Sequence, residues 1–419
     1  MSSSRLHLFQ AYGIELEYMI VDKSSMSTRP ITDDVFKKIK GEYVSDIENK
    51  EVTWSNELVL HVVEIKCTKP EPDLEMMANA FAENVKALNQ HLAGFDAKLL
   101  PSAAHPLMDP AKDTHLWPHD NNEVYELYNK MFNCKGHGWS NLQSTHINLP
   151  FYDDAEFAKL HAAIRLILPL IPAIAASSPI LGGKNTGFLD KRMDYYQKNQ
   201  RVIPSLTGKV IPERAFSKRQ YHKLIYDNIT HDIAKYNTDD ILDPIWMNSR
   251  GAIARFDRGS IEIRIMDIQE CPKADMAIVA LIVNTLKMLV NEKFIGFHDQ
   301  QLWEAEPLNE ILQETMRNAE SAIIDNKEFL QVFGIDKESA EAKEVWRHIF
   351  NKVVDAYPDE MAPWKETINT IINKGTLASR IIKALDNVYS EDNIKLVYQE
   401  LADCLANNEM FVVWEKAKL

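Results

Sequence analysis

The sequence predicts an α+β fold, and three observations carry that prediction. Stretches near residues 11–22, 142–149 and 261–266 alternate apolar and polar side chains with period two, as half-buried strands do. Between them, apolar residues recur every three or four positions, the pattern of helices lying against a sheet. From about Phe297 the helical pattern continues alone, with no strand of any strength. Two regions are therefore expected: residues 1–296 with the strands, and residues 297–419 as helices packed on them.

Bulk properties narrow the function. The 419 residues suffice for two or three domains, or for one large domain with an appendage. A content of 45% hydrophobic and 26% charged residues marks an ordinary globular protein. The net charge of −14 argues against nonspecific nucleic-acid binding and leaves room for a local basic pocket. Cys67, Cys134, Cys271 and Cys404 are far apart and form no CxxC, so reduced thiols in a cytoplasmic protein are expected. The opening MSSSRLHLFQ has no apolar run ahead of a cleavage site, so no signal peptide is expected. Residues 162–176 are strongly apolar but fall short of the roughly 20 that span a bilayer. They also contain Arg165, Pro169 and Pro172, so a kinked core helix is expected and no membrane partner.

In chain order, Ala11–Asp22 is the first strand and sends Ile14, Leu16 and Tyr18 one way, Glu15 and Glu17 the other. At a rise of roughly 3.3 Å per residue the two carboxylates stand about 7 Å apart and repel. A divalent cation between them is the simplest neutraliser; the stretch alone leaves a solvated strand face equally open. Lys23–Arg29 is a polar turn, and Thr32–Lys40 a short helix capped by Thr32 or Asp33. Leu58–Ile65 is rich in branched residues and reads as a strand. Glu57 and Glu64 are an odd number of residues apart, so serving one site requires Glu57 just outside the strand, or a bulge.

Asp73–Gly94 is a helix, Leu99–His105 a strand entering a loop, and Asn122–Phe132 a helix. His105, His115 and His119 lack a tight metal spacing and are expected to have no such role. In Trp139–Phe151 the residues Leu142, Ser144, His146 and Asn148 share one face, which favours a binding surface over a solvated stripe. Asp154–Ser177 is the apolar helix. The following GGKNTG lacks the GK[ST] ending of a phosphate loop, and its two leading glycines read as a helix C-cap. Lys191 and Arg192 stand beside Tyr195 and Tyr196, either as a pocket or as a solvated basic turn. Within Ile245–Met266, which also holds Arg255, Ile261, Ile263 and Ile265 alternate with Glu262 and Arg264. Those two charges could pair with each other or face a site. Ala274–Lys287 begins a long helix. Beyond it, Leu312, Met316, Ile323 and Ile324 mark one helix, and Val345–Val354, Ile368–Ile372, Ile381–Val388 and Ile394–Leu405 mark others. A helical cap or homodimer surface is the expected role.

The unusual residues are carboxylates with one imidazole, a donor set that suits Mg²⁺ or Mn²⁺ better than zinc. GIELEYMIVD, NELVLHVVEI, THINLPF, SSPILGGKNTGF with the following Arg192, and SIEIRIMD stand in this order over residues 11–290. Together they resemble the bacterial carboxylate–amine ligases of the second glutamate–cysteine ligase family, within the glutamine-synthetase-like superfamily. The resemblance implies a curved, largely antiparallel sheet of about six strands, with helices outside and a funnel-shaped site inside. It implies Glu15, Glu17, Glu57, Glu64, His146 and Glu262 as ligands of Mg²⁺, with Arg264 and Arg192 directed at transferred phosphate. Ser144, Asn148, Tyr196 and Arg255 are the expected substrate contacts. Two departures stand out: His61, Val62 and Val63 precede Glu64 where a polar residue usually faces the pocket, and the helical region is long.

The function expected is that of an ATP- and Mg²⁺-dependent ligase joining an amino-acid carboxylate, with glutamate as the reference acid, to a small amine such as cysteine. A metal-dependent amide hydrolase is the rival enzyme, but it has less need of two phosphate-directed arginines. The third reading is a non-catalytic descendant that binds nucleotide or amino acid.

Overall fold

The computed structural model describes residues 5–237 and 241–413. The start of the MSSSRLHLFQ stretch and residues 414–419 of the helical region lie outside the described residues. Among the described residues eight strands form one sheet: β1 (Gly13–Asp22), β2 (Asp46–Asn49), β3 (Val52–Asn56), β4 (Val62–Cys67), β5 (Ala97–Leu100), β6 (Ser144–Pro150), β7 (Ala252–Arg255) and β8 (Ser260–Asp267). Their order is β2-β3-β4-β1-β6-β8-β7, with β5 pairing the far end of β1, and each pairing is antiparallel. The expected antiparallel α+β architecture is present, with eight strands rather than six. The four-residue strands β2 and β7 carry too few alternations to be read from sequence. The stretch Leu58–Ile65 is not one strand: residues 58–61 turn, and β4 runs from Val62 to Cys67.

Period two divides the two sides of β1 cleanly. Ile14, Leu16, Tyr18 and Ile20 are essentially inaccessible to water and join the main core. Full burial of such side chains contributes roughly 1.5–3 kcal/mol each, which fixes the register and so holds Glu15 and Glu17 on the opposite, inner side. Against the outer side lie α1 (Leu74–Ala93), α2 (Asp154–Ile167) and α4 (Pro272–Val290), the short α3 (Lys191–Tyr196) preceding the last. Asp73 caps α1 by accepting from the N–H groups of Glu75 and Met76, and Asp153 does the same for α2 through Ala155 and Glu156. The apolar run of residues 162–176 breaks after Ile167 into short turns at Pro169 and Pro172, as the prolines require. Among the described residues, no helix is long and apolar enough to cross a membrane.

The C-terminal helices α5 (Ala305–Asn318), α6 (Ala342–Ala356), α7 (Lys365–Lys374), α8 (Leu377–Leu385) and α9 (Glu391–Asn407) go to two places. Helices α6 and α7 cover α4 from outside, which explains why α4 is buried nearly all round. Helices α8 and α9 cross to the inner face and pack on Met19, Val21 and Leu100, the apolar continuation of the Glu15–Glu17 side. The inner face is thus polar at one end of β1 and sealed by helices at the other. Ile323 and Ile324 do not extend a helix; they pair with Ala340 and Glu341 as a two-residue ladder.

Gly182 and Gly183 are not a helix C-cap. They form the turn of a small hairpin between Ile180–Leu181 and Lys184–Asn185, with φ of 56° and 71°. Two successive left-handed positions are what a tight hairpin turn needs, and glycine takes them without steric cost.

Candidate active site

Cross-strand register assembles the charged residues. On the inner face Glu15 stands opposite His146 on β6, Glu17 opposite Glu64 on β4, and Glu262 of β8 opposite Asn148. Between Ile263 and Met266 the β6–β8 register shifts, a bulge that brings Arg264 and Asp267 to the same side although their spacing is odd. Glu57 lies just beyond the end of β3, and the turn at residues 58–61 separates it from Glu64 on β4, with no bulge between them.

The tightest group is Glu15, His146 and Glu262, whose ligand atoms lie within 4.8 Å of one another. His146 Nδ1 is 2.9 Å from Glu15 Oε2 and 3.9 Å from Glu262 Oε1. Its Nε2 is 3.0 Å from Ser144 Oγ, and Ser144 donates to Glu17 Oε2 through both its N–H (2.7 Å) and its hydroxyl (2.9 Å). Asn148 donates to Glu15 Oε1 at 3.1 Å. Glu262 pairs with Arg264 Nε at 2.7 Å, and Glu64 is held by Ser55 at 2.6 Å and Lys66 at 2.7 Å.

Burial pushes the carboxyls of Glu15, Glu57 and Glu64 up, and their neighbours decide the outcome. For Glu15, burial is outweighed by the hydrogen bond and charge of His146, aided by Lys66 and Arg264, which hold it at about 2. Burial would discharge His146, but the Glu15 hydrogen bond and the charge of Glu17 raise it to about 9, so it is an imidazolium. Burial and the charge of Glu15 lift Glu64 to about 7. Glu57 is driven well above the carboxylate range by burial and by the charges of Glu17 and Glu64. The cluster therefore holds more acid than the protein's own cations neutralise, and its carboxylate-plus-imidazole donors fit a hard divalent cation.

Above it opens a cavity of about 400 Å³ lined by Glu17, Glu57, Ser144, His146, Arg192 and Arg264, with Tyr125, Tyr128, Trp139, Tyr196 and Trp246 on its other walls. Arg192 is buried rather than a solvated turn; its Nε pairs with Asp267.

The sequence model of glutamate–cysteine ligase family 2 matches residues 11–400, which takes in the whole of this site. The chain belongs to that family. An uncharacterized protein of Archaeoglobus fulgidus is 32% identical over 96% of this chain and 100% of its own length. A protein of Ralstonia pickettii, provisionally named glutamate–cysteine ligase 2, is 30% identical over 44% of this chain and 45% of its own. A glutamate–cysteine ligase of Francisella tularensis, solved in complex with AMP, shares the fold at a TM-score of 0.65 and 12% identity, over 97% of this chain and 90% of that one. A bifunctional glutathione synthetase of Pasteurella multocida superposes at 0.62 with 13% identity, over 96% of this chain and 53% of that one.

Within this family 2 chain, ten of the twelve residues expected at the site are drawn together around the inner face, as contacts of one another or as cavity wall. In Asn148 and Ser144 the expected substrate-contact atoms are already engaged by Glu15 and Glu17. Arg255 does not line the cavity; it sits at the end of edge strand β7, opposite Ser260. Glu64 stands opposite Glu17 but does not line the cavity; Ser55 and Lys66 hold its carboxylate. His105, His115 and His119 stay away from the cavity lining, and His105 is buried with its Nε2 2.7 Å from Met26 O. Lys66 and Asp267 were missed. Lys66 had a signal, since it alternates with Glu64; Asp267 had none, because the bulge that turns it inward is invisible in the pattern.

Proposed function

We propose that this chain is an ATP- and Mg²⁺-dependent carboxylate–amine ligase. It activates an amino-acid carboxylate, the γ-carboxylate of glutamate, as an acyl phosphate and joins it to a small amine such as cysteine. The observation that carries this reading is the convergence of Glu15, His146 and Glu262 within 4.8 Å, with Arg264 paired to Glu262 at the foot of the cavity. The AMP in the Francisella ligase of the same fold supports a nucleotide as co-substrate.

Glu15, His146 and Glu262, with Glu17 close by, would hold Mg²⁺ or Mn²⁺, and Glu57 and Glu64 would complete the acidic wall. The bound ion would supply charge neutralisation for the polyphosphate. The remaining steps belong to the protein's own groups. Arg264 engages Glu262 through Nε, and its guanidinium lines the cavity where phosphoryl oxygens would gain negative charge during transfer. Arg192 lines the same cavity, its terminal nitrogens donating to Arg264 O at 3.4 Å. Ser144 and Asn148 hold Glu17 and Glu15 in place, which preorganises the acidic wall. The aromatic walls shield the acyl phosphate from water until the amine attacks its carbonyl and phosphate leaves.

The test is phosphate release from Mg·ATP with glutamate fixed and amines varied, each product mass measured. Amine-dependent release with a matching amide is the expected result. Amide hydrolysis that needs metal but no ATP would overturn the reading in favour of a hydrolase.

A further inference from the structure

Arg192 is only 1% exposed, and its charge environment is unbalanced. Asp267, fully buried, takes its Nε–H and at Oδ2 accepts from Ser177 N–H at 2.8 Å and Ser178 Oγ–H at 3.0 Å. Ser178 Oγ in turn accepts from the backbone N–H of Arg192 at 2.9 Å. A second fully buried carboxyl, Asp190, lies two residues before Arg192. Its Oδ1 caps α3 by accepting from Met193 N–H at 2.9 Å, and its Oδ2 has no hydrogen-bond partner among the described residues. One buried guanidinium thus faces two buried carboxyls, and ionising both would leave an uncompensated charge in a dry site. Burial, then the charge of Asp267, pushes Asp190 well above the carboxylate range, so Asp190 keeps its proton and Asp267 is the counterion.

The C-terminal helices hold this arrangement from two sides. At the end of α5, Met316 O accepts from Asp190 N–H at 2.9 Å, and Arg317 O accepts from Leu189 N–H at 3.1 Å. Three residues beyond Asp267, Glu270 pairs with Arg380 of α8 in a fully buried contact, and Arg380 also donates to Phe411 O at 2.5 Å. With Nε taken by Asp267, the two terminal nitrogens of Arg192 donate to Arg264 O at a loose 3.4 Å.

We propose that Asp267, clamped in place by the C-terminal helical region, is a positioning residue that aims the terminal nitrogens of Arg192 into the cavity. This gives the helical region a role in the site it does not line. The inference rests on the ligase reading only for what Arg192 meets there, a phosphoryl group.

The test uses the full chain with labelled arginine and follows the Arg192 Nε–H by NMR, assigned through its loss in Arg192→Lys, together with ATP-dependent turnover. A downfield, slowly exchanging Nε–H is expected in the wild type. Asp267→Asn should abolish that signature and lower kcat about 30-fold or more while leaving the KM for ATP within about threefold. Asp190→Asn, which mimics the protonated acid, should keep the signature and cost about tenfold less than Asp267→Asn. If Asp267→Asn does not fold, Ser178→Ala serves, because it removes one hydrogen bond from Asp267 and should shift the resonance. An unchanged resonance in either variant, unchanged kcat in Asp267→Asn, or equal losses in the two Asn variants would overturn the proposal. If the wild type turns over no ATP with any amine, the ligase reading fails, and the resonance alone then decides the positioning claim.

Discussion

Glu17 and Glu64 stand directly opposite one another across the β1–β4 ladder, two carboxylates on neighbouring strands of a buried face. Like charges in that relation destabilise a sheet, and burial makes the conflict worse. This face keeps protons: burial and the charge of Glu15 lift Glu64 to about 7, and the Glu15 hydrogen bond with the charge of Glu17 raises His146 to about 9. Binding a divalent cation requires carboxylate and neutral imidazole, so those protons must leave. Titrating Mg²⁺ or Mn²⁺ at neutral pH should therefore release about one to two protons per protein. Calorimetry in buffers of different ionisation enthalpy reads that number directly. Heats that do not depend on the buffer would remove the metal assignment.

Glu17→Gln separates the charge of Glu17 from its hydrogen bonds. The amide oxygen can still accept from Ser144 N–H and its hydroxyl, so the β1–β6 geometry survives. The melting temperature should stay within a few degrees, while turnover falls by about 10²–10³-fold. Wild-type activity in a folded Glu17→Gln protein would mean that this carboxylate takes no part in binding or chemistry.

Arg264→Lys tests the guanidinium fork. Arg264 engages Glu262 through Nε while its guanidinium lines the cavity, whereas an ammonium is a single point that must choose. The expected result is a kcat lowered by about 10²-fold with the KM for ATP little changed, since the lost contact strengthens as transfer proceeds. A raised KM at constant kcat would make Arg264 a nucleotide-binding residue and nothing more.

What could be read from sequence depended on whether a residue's partner lay along the chain or across the sheet. The β1 alternation was plain because one side is uniformly apolar and the other starts with two acids. For Glu57 the spacing from Glu64 left a position outside the strand or a bulge open; the two stand on either side of a turn, Glu57 after β3 and Glu64 on β4. Ser55 was not legible, because what makes it a partner of Glu64 is the β3–β4 register, whereas Lys66 stands two residues along Glu64's own strand and was there to be read. Asp267 turned inward through a bulge, and its partner Arg192 lies 75 residues earlier. Arg255 shares the inner side of its strand with nothing the cavity reaches, because β7 is the sheet edge. The two glycines after the apolar helix were misread because α2 and its short continuations end at Ala175, before the hairpin begins.

Acid stability depends on a residue that does not line the cavity. His161 on α2 is fully buried, stacked on Phe157 at 5.2 Å and edge-on to Tyr221 at 5.6 Å. Burial, reinforced by the charge of Arg165, holds it down to about 3, so in the folded protein it is neutral throughout the mildly acidic range. The unfolded chain takes up a proton near the ordinary histidine value, so below that value unfolding binds a proton and stability falls as pH falls. The contribution is complete above about pH 7 and has lost roughly 2 kcal/mol by about pH 5. His161→Phe keeps the ring packing and removes the proton site. In urea unfolding it should lose less stability than the wild type between about pH 8 and about pH 5, the difference being roughly 2 kcal/mol. Parallel pH profiles for the two proteins would mean that His161 titrates in the folded state as it does in the unfolded chain.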